Sequence, residues 1–253
     1  MEDQTVSRPA YQRIANDLRA RIASGDLAPG DQLPTQEELH EAYGAARGTI
    51  VRAIDQLVHE GLVVSRRPLG VFVRGRQRLV IRPQAEYEPA PSAAMDRLMA
   101  AIAEAGLHPE RTLDVALPKA PKDVAERLGV DLGAVVVLRR RTTSAGGELY
   151  NINDSYYPLD LVSGSEIMLP DDITRGARQV LAELGHEEVR AVDELYTRMP
   201  TPDESHRLDL APGTPVVVYV CTAYAAGSRP VRCTVNVLPG DRHVIVYERH
   251  RPE

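Results

Sequence analysis

The stretch from Tyr11 to Val73 fixes its own local structure more tightly than any other part of the chain. Tyr11, Ile14, Leu18 and Ile22 recur at helical spacing, which predicts an amphipathic helix from Pro9 to Ser24, ended by Gly25 and the Pro29-Gly30 turn. Pro34-Thr35-Gln36-Glu37-Glu38-Leu39 then opens a second helix. Thr35 stands three residues before Glu38, the spacing at which each side chain satisfies a free backbone N–H of the helix start. Gly44 follows Tyr43 and supplies a turn. A third helix begins at Arg47, with Ile50, Ala53, Ile54, Leu57 and Val58 as its buried stripe. After Gly61, Leu62-Val63-Val64 and Val71-Phe72-Val73 predict two short strands around the turn Pro68-Leu69-Gly70. The order is helix, turn, helix and a two-stranded wing.

Arg47, Gly48, Val51 and Arg52 fall away from the buried stripe, at the N-terminal end of the third helix. A recognition helix presents such residues to base edges in the major groove. The planar guanidinium of Arg47 suits a guanine or a phosphate, and Thr49 suits a backbone contact or the helix start. Charge supports this placement. Residues 1–78 hold 11 arginines against 10 acidic residues, and Arg66, Arg67, Arg74, Arg76 and Arg78 cluster at their end. The whole chain carries a net charge of -6, which excludes a protein that coats nucleic acid. A local basic stripe can still neutralise phosphates.

These residues resemble the GntR family of bacterial transcription regulators over the whole first domain, 8–78. The resemblance rests on the Pro-Thr-x-x-x-Leu entry, Arg47 at a helix start, Glu60-Gly61-Leu62 and the Gly-x-Phe-Val wing. It implies binding to double-stranded DNA. The residues expected to face DNA are Thr35, Arg47, Gly48, Thr49, Arg52, Arg66, Arg67 and Gly70. Three arginines commonly contact DNA in the family, and their positions fall here at Glu37, Arg47 and Val51. A glycine at position 70 allows close approach of the backbone to the minor groove.

Residues 79–94 contain Pro83, Pro89 and Pro91 and are expected to form an extended linker. Beyond it, strands alternate with short helices. A helix is predicted from Met95 to Gly106, a strand from Arg111 to Leu117, and a hairpin from Ala134 to Tyr157 around Gly146-Gly147. Ile173 to Gly185 is predicted as a helix and Val189 to Met199 as a strand. A second hairpin runs from Pro215 to Leu238 around Gly227. The class is α+β with a mostly antiparallel sheet. The layout resembles the UTRA ligand-binding domain of the HutC-type GntR subfamily, which shares its fold with chorismate lyase; the expected domain is 95–250. Gly133-x-x-Val136, Ser155-Tyr156-Tyr157-Pro158, Leu210-x-Pro212-Gly213-Thr214-Pro215 and Gly240-Asp241-Arg242 carry the resemblance.

In that family the effector lies over the sheet between the two hairpins. The corresponding polar residues are Arg141, Thr143, Asn153, Asp154 and Arg232. Asn153 and Arg232 stand where the family has carboxylates, so the pocket has lost acidic groups and gained a cation. This points to a small anionic or strongly polar effector. The register of the first hairpin matters. A two-residue turn sets Arg141 opposite Ile152, whereas a three-residue turn sets it opposite Asn153, the arrangement the resemblance favours. Ordinary strand-edge salt bridges with Asp154 or Glu148 are the alternative for Arg139, Arg140 and Arg141; they are the expectation for Arg140, whereas effector binding is the expectation for Arg141, and Glu187-Glu188 are expected as surface charge.

Cys221 and Cys233 are expected opposite each other on the second hairpin, as two small buried side chains. The seven histidines show no metal spacing, and no cofactor motif appears. The expectation is a cytoplasmic, homodimeric regulator, a repressor on a pseudo-palindromic operator, with no membrane segment. A ligand-independent dimeric autorepressor of a plasmid or mobile element is the second alternative and a lyase-type enzyme the third.

Overall fold

The computed structural model describes residues 9–28, 30–66, 68–73, 78–84, 97–210 and 212–248. The chain divides into two compact units, residues 1–77 with 210–214, and residues 78–209 with 215–253.

The first unit contains α1 (Ala10–Ser24), α2 (Gln36–Tyr43), α3 (Arg47–His59) and the wing strands β1 (Val63–Arg66) and β2 (Gly70–Val73). Its core is the set the periodicity marks out: Ile14, Leu18, Leu39, Ile50, Ala53, Ile54 and Leu57 are buried together with Leu27, Leu33, Val63 and Val73. Tyr11, Ile22 and Val58 pack at its margin. Burying such side chains is worth about 1.5–3 kcal/mol each, so the stripe of α3 holds the unit together. Both halves of the Thr35/Glu38 capping box are formed. Gly25 and Gly44 end α1 and α2 in the left-handed conformation. The wing gains a partner that the strand pattern does not announce. Leu33 donates its N–H to Val71 O, Val73 donates to Asp31 O, and Gln32 bridges Phe72.

The second unit contains β3 (Leu79–Ile81), α4 (Arg97–Glu104), β4 (Pro109–Ala116), α5 (Lys122–Leu128), β5 (Val136–Ala145), β6 (Glu148–Pro158), α6 (Leu159–Val162), α7 (Ala177–Glu183), β7 (Arg190–Arg198), α8 (Pro202–Arg207), β8 (Val216–Tyr224), β9 (Pro230–Pro239) and β10 (His243–Ile245). Six strands form one antiparallel sheet in the order β4-β5-β6-β9-β8-β7. Strand β3 instead pairs parallel with β10. Leu79–Ile81 therefore belongs to the second unit rather than to a linker. Residues 85–96, including Met95 of the expected helix, lie outside the described residues. The helix expected over 173–185 is confined to α7, because Gly176 at its start adopts φ 82° and breaks the run.

The first hairpin resolves the two sequence registers in an unexpected way. The turn is the two-residue one: Ala145 pairs with Glu148, and Gly146 and Gly147 take φ 57° and 77°. Positive φ at both central residues matches the right-handed twist of the flanking strands. A bulge then follows. Ser144 pairs with Leu149 but Thr143 with Asn151, leaving Tyr150 as the extra residue. The bulge shifts the register by one and sets Arg141 opposite Asn153 and Arg140 opposite Asp154.

Strand alternation then sorts the sheet into two faces. One carries Leu138, Tyr156, Cys233 and Val220, and α5 packs on this side through β6 and β9. The other face is covered at one end by α6 and α7 over Val137, Tyr157 and Ala223. At its other end Ile81 and Ile245 pack on Tyr219, Cys221 and Leu238. Cys221 pairs with Thr234 and Cys233 with Thr222. The two thiols thus sit on opposite faces of the sheet, not opposite each other, because the bulge near Ala223 offsets the second hairpin. Both are buried and neither is in a disulfide, and burial pushes the Cys233 thiol up to about 11.

Candidate DNA-contacting surface and effector site

The N-terminal end of α3 presents Arg47 and Gly48 to solvent, with Val51 38% exposed one turn on. Space outside Gly48 is open. Arg47 is not a free cation. It ion-pairs with Glu37 on the first turn of α2, and the two side chains are 70% and 57% exposed. The carboxylate that replaces a family arginine thus holds the arginine that is kept.

The other predicted DNA residues fall into three groups. Thr35 accepts from Glu38 N at 3.3 Å and donates its hydroxyl to Glu38 Oε2 at 2.9 Å, so its side chain is spent on the helix cap. The Thr35 backbone N–H, which donates to Glu38 Oε2 at 2.7 Å, and then the Thr35 hydroxyl hold the Glu38 carboxyl below its usual range. Thr49 is half-buried in the first turn of α3. Arg52 lies 4.0 Å above the ring centroid of Tyr11, a cation–π contact across to α1. At the wing, Gly70 has φ 124°, and a Cβ there would come within 2.4 Å of Gln32 Nε2. That nitrogen donates to Leu69 O at 2.9 Å. The glycine is favoured by its left-handed φ, a cause internal to the protein, and the contact with Gln32 falls on the far end of a flexible side chain. Arg66 is placed by its strand backbone, and Arg67 lies outside the described residues.

In the second unit, a polar band crosses the sheet face between its two covers. Arg141 and Thr143 of β5, Asn151, Asn153 and Ser155 of β6, and Thr234 and Asn236 of β9 share it. All but Arg141 and Asn153 are buried. Hydrogen bonds knit the band together: Asn151 Nδ2 to Asn236 Oδ1 at 3.1 Å, Ser155 Oγ with Thr234 Oγ1 at 3.0 Å, and Ser155 Oγ to Asn153 Oδ1 at 3.3 Å. Arg111 on β4 lies directly opposite Thr143. Arg141 differs from its neighbours. Among the described residues none accepts a hydrogen bond from its guanidinium or ion-pairs with it, and its Nε is buried.

The adjacent arginines are committed elsewhere. Arg139 is fully buried and donates to the carbonyls of Ile167, Leu169 and Asp171 at 3.1, 2.7 and 2.8 Å. It therefore fastens the segment after α6 rather than forming a strand-edge salt bridge. Burial and the nearby Arg141 charge lower its pKa. Arg140 pairs with Asp154, as expected, and this bond raises its pKa.

Two expected effector residues are corrected by this geometry. Asp154 lies one residue from Asn153, so alternation turns it to the opposite face, where Arg140 holds it. Arg232 shares the correct face, but its guanidinium is clamped by Glu188 at 2.7 and 2.9 Å, with Arg178 at 3.3 Å from the same carboxylate. Arg232 and Glu188 are 8% and 1% exposed. Glu188 is therefore a buried counter-ion, not surface charge. Burial works against the Arg232 charge, yet Glu188 outweighs it and holds the pKa well above the usual value. Asn151, Ser155, Thr234 and Asn236 complete the band. Their signal in the sequence was a polar residue at every second position, Asn151, Asn153 and Ser155 of β6 and Arg232, Thr234 and Asn236 of β9.

The chain matches the bacterial regulatory proteins of the gntR family over residues 10–73 and the UTRA domain over residues 105–244. It is 30% identical to the uncharacterized HTH-type transcriptional regulator SCO4628 of Streptomyces coelicolor, over 97% of this chain and 94% of that one. It is 25% identical to the HTH-type transcriptional repressor NagR of Bacillus subtilis, over 96% of each. A crystal structure of a GntR-family transcriptional regulator aligns with a TM-score of 0.62 at 26% identity, covering 97% of this chain and 99% of that one. PhnF from Mycobacterium smegmatis aligns at 0.57 and 21% identity over 94% of this chain and all of that one, a likeness of fold alone. The two units are those of a DNA-binding transcription regulator with an effector-binding domain. The chain belongs to the GntR family, in its UTRA-bearing, HutC-type branch. Its relatives are regulators, not enzymes. No helix among the described residues is long and apolar enough to cross a membrane.

Proposed function

We propose that the protein is a cytoplasmic homodimeric repressor of a pseudo-palindromic operator, controlled by a small anion seated on the polar band around Arg141. The observation that carries this reading is the Arg141 guanidinium, unpaired among the described residues and set among buried hydrogen-bonding side chains. A cation kept without a counter-ion in a knitted polar surface is suited to receive one from a ligand. Thr143 and Asn153 flank it, and Arg111, 4.0 Å from Asp172, lies opposite Thr143. The name of NagR as a repressor supports the sign of regulation. Two-fold symmetry would place one recognition helix on each half-site.

The test is fluorescence anisotropy on the protein's own upstream DNA, titrated with inorganic phosphate, sugar phosphates and dicarboxylates. An anion that changes operator affinity for the wild type and not for Arg141→Ala is the expected result. Arg141→Ala with an unaltered response would remove the anion site from Arg141. Tight operator binding that no anion alters would leave a ligand-independent repressor.

A further inference from the structure

The Glu37–Arg47 pair lies at the N-terminal ends of α2 and α3, beside the open surface of Gly48. The pair meets base edges only with α3 in the major groove, as the proposed operator binding requires. An arginine alone serves phosphate and guanine equally well. A carboxylate beside it repels phosphate, and once covered by DNA each of its oxygens needs a donor. The pair therefore presents an ordered pattern: donors from the Arg47 fork, then an acceptor from Glu37.

Base edges in the major groove carry ordered patterns as well. Across a G·C pair the order is acceptor N7, acceptor O6, donor N4–H. This complements two donors followed by an acceptor. An A·T pair reads acceptor, donor, acceptor, so an Arg47 N–H would meet the adenine amine and Glu37 the thymine carbonyl. T·A repeats that order, and C·G reverses the first, setting Arg47 against the cytosine amine and Glu37 against guanine N7. Each mismatch strands a buried charge without a partner, which is the costly case.

We propose that Glu37 and Arg47 act as one reading unit that selects a single G·C base pair, guanine toward Arg47, in each half of the operator. Glu37 is then a specificity-determining residue, at a position where the family resemblance implies a phosphate- or base-binding arginine.

The experiment is selection of full-length protein on a randomised duplex library, followed by affinity measurements on the selected site. The wild type should require one G·C pair per half-site, and its replacement by A·T should weaken binding on the order of tenfold. Arg47→Ala and Glu37→Gln should both relax preference at that same pair. Glu37→Ala should steepen the dependence of log affinity on log salt by about one unit, because the freed Arg47 reaches a phosphate. Unchanged thermal unfolding checks that these exposed substitutions leave the fold intact. Wild-type base preference retained at every position in both Glu37 variants would overturn the proposal. So would Arg47 and Glu37 variants that relax different positions. A wild type with no sequence preference at all would instead strike at the operator-binding reading beneath it.

Discussion

The two units each display an arginine–glutamate pair, and the pairs behave in opposite ways. Glu37–Arg47 stands on the outside of the first unit, more than half exposed on both sides. Glu188–Arg232 lies inside the second unit, almost wholly out of water. Exposed pairs contribute about 0–1 kcal/mol and open readily for a ligand. Breaking a buried pair strands a charge and costs about 3–5 kcal/mol. The same two residue types are therefore an open pair in one place, the one proposed to read DNA, and a structural clamp in the other. Availability to a ligand follows from solvent and partner, not from residue type. Arg141 makes the point a third time: it lies in the band where Arg232 is expected to help, and among the described residues it has no partner.

The contrast can be broken most directly by truncating each carboxylate. Glu188→Ala should destabilise the second unit by about 3–5 kcal/mol in urea unfolding, whereas Glu37→Ala should stay within about 1 kcal/mol. Replacing both members together, Glu188→Leu with Arg232→Met, should recover most of the loss, since no buried charge is left stranded and Arg178, the other partner of Glu188, is 41% exposed to water. Equal costs for the two single truncations would mean that burial is not what separates the pairs.

A second test concerns a buried base rather than a buried acid. His243 on β10 is buried against the Tyr150 ring, and its Nδ1 lies 3.0 Å from Pro239 O. Burial lowers its pKa to about 4. In the unfolded chain the imidazole titrates near about 6.5. Between these values the unfolded state binds more protons, so stability is full above pH 6.5 and falls as pH drops toward 4. The integrated loss is about 3 kcal/mol. Unfolding free energies at successive pH values should show this slope for the wild type and a flatter one for His243→Leu. Matching slopes would mean that carboxylates alone govern acid stability in this range.

Legibility in the sequence divides along similar lines. The helices of the first unit announced themselves because stripe, cap and terminal glycine are all local signals. The faces of the sheet were partly legible, since alternation along one strand needs no knowledge of its neighbours. Pairing partners were not. Glu188 reaches Arg232 across 44 residues, and Glu37 reaches Arg47 through a turn whose angle the sequence does not specify. The two misplacements have different causes. The cysteines are offset by a bulge, which adds a single residue to one strand so that a shift of one exchanges the faces, whereas Asp154 is the neighbour of Asn153, and adjacent strand residues face opposite ways in any register. Gly146-Gly147 signalled the turn correctly, but nothing local signalled Tyr150 as the extra residue. Leu79–Ile81 was hidden for another reason: its partner, β10, lies at the far end of the chain.

The smallest expected effect is the most discriminating. Arg141→Met removes a half-buried cation that lowers the pKa of its neighbour Arg139, a sign of mutual repulsion. Met keeps the stem and much of the packing. Without ligand the variant should be as stable as the wild type or up to about 1 kcal/mol more stable, because an uncompensated charge is lost and no bond is broken. Residues retained for binding commonly carry such a cost. Calorimetric unfolding of both proteins without added anions measures it. A loss of 2 kcal/mol or more, read as a clear drop in the melting temperature of the second unit, would place Arg141 with Arg232 among the clamps. The polar band would then lose the cation on which its reading as an anion site depends.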